Sequence, residues 1–215
     1  MSLSLEIKDW YDLHKGYTLA LEPGLTFLVG PNGAGKTTLL SQIADYAKTN
    51  SIGLWQYDNL HDGGQYAADQ YTLQGDSTKV ATAITASEGE NVALNFGNRV
   101  GEMGQRIGQA VSAHQPLIIL LDAVDSGASI DRTRELAQFL SFVCDKDIKD
   151  TAEVYIVVAA NHYELVKAPA RCINVRTGDQ ETFPGYDEYA EFICSFEKRF
   201  PRIESGKKSR RRRRP

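Results

Sequence analysis

Residues 25–38 read LTFLVGPNGAGKTT, and this stretch decides the fold. Leu25 to Val29 carry no charge and no polar alternation, which predicts a strand buried on both faces. The strand runs straight into a glycine-bearing loop, and LLSQIADYA then follows with its apolar residues at helical spacing. The local order is therefore strand, glycine loop, helix.

Working outward, residues 3–10 (LSLEIKDW) and 17–21 (YTLAL) alternate as short strands, and Glu22, Pro23 and Gly24 turn the second into the core strand. This predicts an N-terminal antiparallel ribbon. Further strands are expected at Ser51 to Tyr57, Leu117 to Leu121, Val154 to Ala160 and Ile173 to Arg176. Between them, Val100, Met103, Ile107, Ala110 or Val111 and His114 recur three or four apart, predicting a helix over 98–114. Gly101, Gly104 and Gly108 in that helix are expected to allow close packing. Leu136, Phe139, Leu140 and Val143 line a second helix, and Tyr186 to Phe200 form a third. The alternation predicts an α/β fold with a mostly parallel sheet flanked by helices and a short helical insertion, and the loop GPNGAGKTT makes its core that of a P-loop NTPase.

The glycine loop carries the first chemistry. Gly30 and Gly35 let the backbone of Gly30, Pro31, Asn32, Gly33, Ala34, Gly35, Lys36, Thr37 and Thr38 wrap a phosphate chain, every residue but Pro31 having an N–H to offer, with the following helix adding its positive end. Lys36 would neutralise the β and γ phosphates of ATP, and the Thr37 hydroxyl would ligate magnesium. Asp122, at the end of LIILLD, supplies a carboxylate at a strand tip where it would hold the same ion through water.

With these residues in place, the chain resembles the ATP-binding cassette superfamily, in its compact soluble branch related to the structural-maintenance-of-chromosomes and DNA-repair ATPases. GPNGAGKTT resembles that superfamily's loop, LIILLDAVDSGASID its Walker B and D-loop segment, and IVVAANHYEL its switch-histidine segment. The chain is also similar to small stand-alone ATP-binding proteins of bacteria and their phages. The resemblance implies that His162 senses the γ phosphate. It implies that Ser87, with Gly89 and Glu90 in TASEGEN, caps the ATP of an opposite copy; an ordinary helix N-cap is the competing role. Ser87 lies 35 residues before Asp122, a longer spacing than the family usually has. Tyr11, 25 residues before Lys36, falls where the family stacks an aromatic on adenine, with Trp10 and Tyr17 as rivals. Gln56 is in order for the family's magnesium-contacting glutamine, and Gln65 competes with it.

One position departs from that pattern. The family's water-polarising glutamate falls on Ala123, so either Asp125 or another acid substitutes, or hydrolysis is slow. In the D-loop segment the family's aspartate falls on Ser129, with Asp131 nearby.

Composition bounds the setting. At 215 residues the chain suits a single P-loop ATPase domain over 1–204, with a disordered basic tail over 205–215. Residues 207–215, KKSRRRRRP, hold seven of the 24 basic residues. The remaining 17 face 28 acidic residues, which leaves the body near −11 against −4 overall. Such a body is a poor nucleic-acid surface, so any nucleic acid or acidic partner is expected at the tail, Lys207 to Arg214. Cys144, Cys172 and Cys194 form neither a disulfide framework nor a zinc spacing, and no apolar run approaches membrane-spanning length. These features predict a soluble cytoplasmic protein.

The expected function is a magnesium-dependent ATPase that works as an ATP-sandwiched homodimer on a soluble partner. About 50 residues separate Thr37 from Ser87, too few for a long coiled coil. The alternative is a nucleotide-dependent binding switch with little hydrolysis, because Ala123 replaces the base.

Overall fold

A computed structural model describes residues 2–9, 14, 16–59, 88–145, 153–167 and 169–196, with backbone alone over 88–95. The ribbon is β1 (Leu3–Ile7) and β2 (Tyr17–Leu21), paired antiparallel with Leu5 opposite Leu19. Both strands bury every second residue, so Leu5, Ile7, Leu19 and Leu21 turn inward together.

The main sheet has six strands in the order β4, β5, β6, β3, β7, β8: β3 (Gly24–Val29), β4 (Gly53–Asp58), β5 (Leu117–Asp122), β6 (Val154–Ala159), β7 (Cys172–Asn174) and β8 (Gln180–Glu181). All pairings are parallel except β7 with β8. LIILL of β5 and VYIVVA of β6 are buried throughout, as strands covered on both faces require.

Helix α1 (Lys36–Thr49) and the ribbon cover one face, where Leu39, Ile43 and Ala47 meet Leu28, Ile118, Leu120 and Val157. The opposite face is covered by α2 (Glu88–Ala113), α3 (Ile130–Val143) and α5 (Tyr186–Ser195), with the short α4 (Tyr163–Val166) following β6. Each fully buried leucine or isoleucine in these layers contributes about 1.5–3 kcal/mol.

Three expectations about α2 need correction. The helix starts ten residues before the predicted position 98, and its core face is Phe96, Met103 and Ile107, with Val100, Ala110 and Val111 alongside. His114 is not on that face; it is exposed and takes φ 50° in the turn that ends the helix. Gly101, Gly104 and Gly108 point away from the core, and a Cβ at any of them would meet nothing within 4 Å. They therefore serve no close packing among the described residues. The third predicted helix ends at Ser195 instead of Phe200, and residues 205–215 lie outside the described residues.

Parallel pairing brings the C-terminal ends of β3, β4, β5 and β6 to one edge. Ligands of open α/β sheets bind at that edge. β6 stands between β3 and β5, so the glycine loop and Asp122 are separated by the strand that leads to His162.

Candidate nucleotide-binding site

The loop between β3 and α1 depends on two glycines. A Cβ on Gly30 would lie 2.8 Å from Val175 Cγ1, so only glycine lets β3 leave the sheet beside β7. Gly35 takes φ 99° as the N-cap of α1, a left-handed conformation that glycine adopts without strain. No side chain caps this helix and its first turn contains no acid, so its amides and its dipole favour an anion.

Lys36 is 8% exposed, and its ammonium group donates to the carbonyls of Gly30 at 2.6 Å and Pro31 at 3.2 Å. The lysine is thus folded across the loop. Burial lowers its pKa, while Asp125 and Asp122 act in the opposite direction.

A residue that sequence reasoning missed supports the loop from behind. His14 is fully buried, with Nε2 3.2 Å from the Gly35 carbonyl and Nδ1 3.3 Å from Gln42 Nε2. Because the Gln42 amide donates to Nδ1, Nε2 carries the proton and donates to Gly35. Gln42 also exchanges two hydrogen bonds with the Lys8 backbone, tying the ribbon to α1. A lone histidine in no motif gave no signal of this.

Asp122 ends β5 with the Thr37 hydroxyl and the Ala123 amide beside its carboxylate. The first helical turn after the loop therefore lies near the tip of a strand two places away in the sheet. Burial raises the Asp122 pKa and the neighbouring Asp58 adds in the same direction, while Thr37 and Ala123 oppose them. Asp58 ends β4, and its Cα registers directly with that of Asp122. Sequence reasoning missed Asp58 as well. Its signal was the matching end of the two strands, GLWQYD and LIILLD, each closing on an aspartate.

Gln56, expected near the metal, lies two residues short of this tip, opposite Leu120, and is exposed. Those two residues place it about 6.6 Å back along the strand. The tip position that the order of residues suggested for Gln56 belongs to Asp58.

Asp125 is completely buried. Its carboxylate accepts from the Asn161 amide at 2.7 Å, the Asn161 side chain at 3.1 Å and the His162 amide at 3.0 Å. The expected base is thus committed to the turn after β6. Tyr189 holds the same turn from the other side by donating to the Asn161 carbonyl at 2.7 Å. His162 is half-buried at the N-cap of α4, at the same sheet edge as the loop. Ala123 sits between Asp122 and this loop with φ 55°, a conformation that non-glycine residues seldom adopt.

The remaining expected residues scatter. Tyr11, Trp10, Ser87 and Gln65 lie outside the described residues, although α2 begins at Glu88, directly after Ser87. Tyr17 is occupied elsewhere: its hydroxyl donates to the Val175 carbonyl at 2.8 Å and its ring lies against Gly178. Ser129 is the N-cap of α3 and Asp131 lies in its first turn, where the Ser129 hydroxyl lowers the Asp131 pKa.

Thr37 and Asp122 offer the hard oxygen donors that magnesium takes, and the two stand near each other. Among the described residues no group of three His, Cys, Asp or Glu could hold a metal by itself. Magnesium is held in such sites by one or two protein oxygens together with phosphate, so this donor set fits it.

A parallel sheet with a glycine loop leading into an uncapped helix, and an aspartate at the tip of a second strand near that helix's first turn, defines a P-loop nucleotide-binding protein. The model of the ATPase family associated with various cellular activities (AAA) matches residues 26–181, and the chain belongs to that family. The DNA replication and repair protein RecF of Cronobacter sakazakii is 32% identical over 111 residues, which make up 49% of this chain and 31% of RecF. The chain thus spans about a third of that relative's length. No helix among the described residues is long and apolar enough to cross a membrane.

Proposed function

We propose that the chain is a magnesium-dependent ATPase of the ATP-binding cassette type, in which ATP joins two copies and hydrolysis releases them to drive or switch a soluble partner. The observation that carries this reading is the Lys36 ammonium folded onto the Gly30 and Pro31 carbonyls at the uncapped start of α1, because it sets a cation and free helix amides where the phosphates would bind, with Thr37 and the Asp122 carboxylate nearby.

Magnesium held by Thr37 and Asp122 would neutralise charge on the β and γ phosphates. The backbone N–H groups of residues 32–38 and the Lys36 ammonium hold the same phosphates, and to do so Lys36 exchanges its bonds to Gly30 and Pro31 for phosphate oxygens. His162 contacts the γ phosphate from the end of β6. Asp125 acts as a brace that fixes His162 and not as the base, since it is completely buried and three N–H donors hold its carboxylate on the turn after β6. Tyr11 stacks on adenine, and Ser87 caps the nucleotide of the opposite copy. The tail, Lys207 to Arg214, contacts nucleic acid or an acidic partner; similarity to a DNA replication and repair protein favours nucleic acid.

Ala123 favours a second reading, a switch that dimerises on ATP with negligible turnover. Phosphate release by the purified chain, with Lys36→Ala as control, and light scattering with a slowly hydrolysed ATP analogue separate the two. Release that disappears in the control supports the ATPase. Dimers without release support the switch, and neither response to ATP overturns both.

A further inference from the structure

The ribbon grips the glycine loop at both of its ends. At the first, the Tyr17 hydroxyl of β2 donates to the Val175 carbonyl, and Val175 packs against Gly30 while its own N–H donates to the Val29 carbonyl at 3.0 Å. At the second, His14, in the connection between β1 and β2, reaches the Gly35 carbonyl with Nε2 at 3.2 Å.

The proton on that nitrogen is fixed from two directions. A carbonyl oxygen only accepts, so Nε2 must donate to it. Gln42 is oriented by the Lys8 backbone, whose N–H donates to its Oε1 at 2.9 Å and whose carbonyl accepts from its Nε2 at 3.2 Å. The group facing Nδ1 at 3.3 Å is therefore an amide donor, and Nδ1 accepts.

Bonding the Gly35 carbonyl also acts on the other side of its peptide. A trans peptide sets its C=O and the next N–H in one plane, pointing in opposite directions. The Gly35 carbonyl accepts from His14 and, at 2.9 Å, from the Leu39 amide, so the Lys36 N–H is aimed out of the start of α1, where an anion binds. Among the described residues that N–H has no acceptor. Glycine, which Gly35 must be to take φ 99°, restrains its own peptide planes least, so their direction has to be held from outside.

We propose that His14 is a positioning residue of the phosphate-binding loop: by donating to Gly35 it holds and polarises the peptide whose N–H, that of Lys36, meets the phosphate chain. The assignment rests on the nucleotide-binding reading above. It makes docking of the ribbon a condition of tight phosphate binding, because the line from Lys8 through Gln42 and His14 ends on the loop.

The test compares the full chain with His14→Phe and His14→Gln, measuring by titration calorimetry the affinity for ADP and for inorganic tripolyphosphate, both with magnesium. His14→Phe keeps the bulk of the ring and loses the donor, and is expected to weaken both ligands about tenfold. His14→Gln, which returns an N–H near the place of Nε2, should recover part of both affinities. The assignment is overturned if folded His14→Phe binds both ligands within about twofold of the parent, if the loss is confined to ADP, which places the effect at the base, or if folded His14→Gln recovers nothing, which leaves only packing. A second measurement needs no variant and decides the matter should neither variant fold. The ¹⁵N resonances of the His14 ring in the parent are expected to show the proton on Nε2, and a proton on Nδ1 with Nε2 bare overturns the assignment. A parent chain that binds neither ligand removes the nucleotide-binding reading itself, whereas failure of His14 alone shows as a variant that binds like the parent.

Discussion

The buried carboxylate of Asp125 accepts the backbone N–H of His162 at 3.0 Å and that of Asn161 at 2.7 Å, so the loop after β5 and the turn after β6 move as one piece. A carboxylate facing two adjacent amides fixes the direction in which the His162 side chain leaves the chain. The loop carrying Ala123 and Asp125 is thereby coupled to the histidine proposed to read the γ phosphate.

Asp125→Ala is expected to destabilise the protein by about 3 kcal/mol or more, because two buried amides and the Asn161 side chain lose their acceptor together. Asp125→Asn should also be destabilising, since its NH2 must turn toward at least one of those donors. Urea denaturation followed by circular dichroism measures both. A loss below about 0.5 kcal/mol for the alanine variant would show that the brace carries no weight.

Lys36→Met should reduce affinity for ATP at least tenfold, because a charge-assisted contact to phosphate is removed. The same change should leave the stability of the nucleotide-free protein equal or higher. Burial lowers the lysine's pKa in the fold, so holding it charged at neutral pH costs stability that the methionine does not incur. Titration calorimetry and melting curves on the same samples check both halves.

Glu164 accepts from Arg134 and Lys167, both on its own side of the molecule, and these bonds hold its pKa down at about 2. A carboxylate depressed in the fold contributes stability above its unfolded pKa of about 4.5 and loses it as pH falls toward 2. Glu164→Gln should therefore melt below the parent at pH 7, with the gap closing between about pH 4.5 and 2. Both partners are exposed, so the gap should also shrink in 1 M salt. A gap that stays constant with pH would exclude the ion pairs as its source.

Gly30→Ala should cost about 1–3 kcal/mol, as its new methyl group enters the space of Val175. The loop must shift to admit it, so nucleotide affinity should fall in parallel. An unchanged affinity in a folded variant would mean that the loop adapts without this glycine.

Much of the fold was legible in the sequence because the features that specify it are local. Strands β5 and β6 announce burial by unbroken apolar runs, and the ribbon strands β1 and β2 announce a half-covered surface by alternation. The glycine helix was legible only in part. Spacing located Met103 and Ile107 on the core face, but glycine has no side chain to mark a face, and the close packing expected at Gly101, Gly104 and Gly108 is absent within the described chain.

By itself, the sequence determined the strand, glycine loop and helix from Leu25 onward, because Gly30, Gly35, Lys36 and Thr37 are neighbours whose spacing is fixed by the backbone. It also placed Asp122 at a strand tip. Only the tertiary structure decided what surrounds these groups. Asp58 meets Asp122 through strand register, Asp125 turns to His162 through the packing of two loops, and His14 reaches Gly35 through the docking of the ribbon. Each joins residues distant in the chain. Which strands become neighbours and which loops pack together is settled by the whole core at once, so the pattern along any one segment does not encode these meetings.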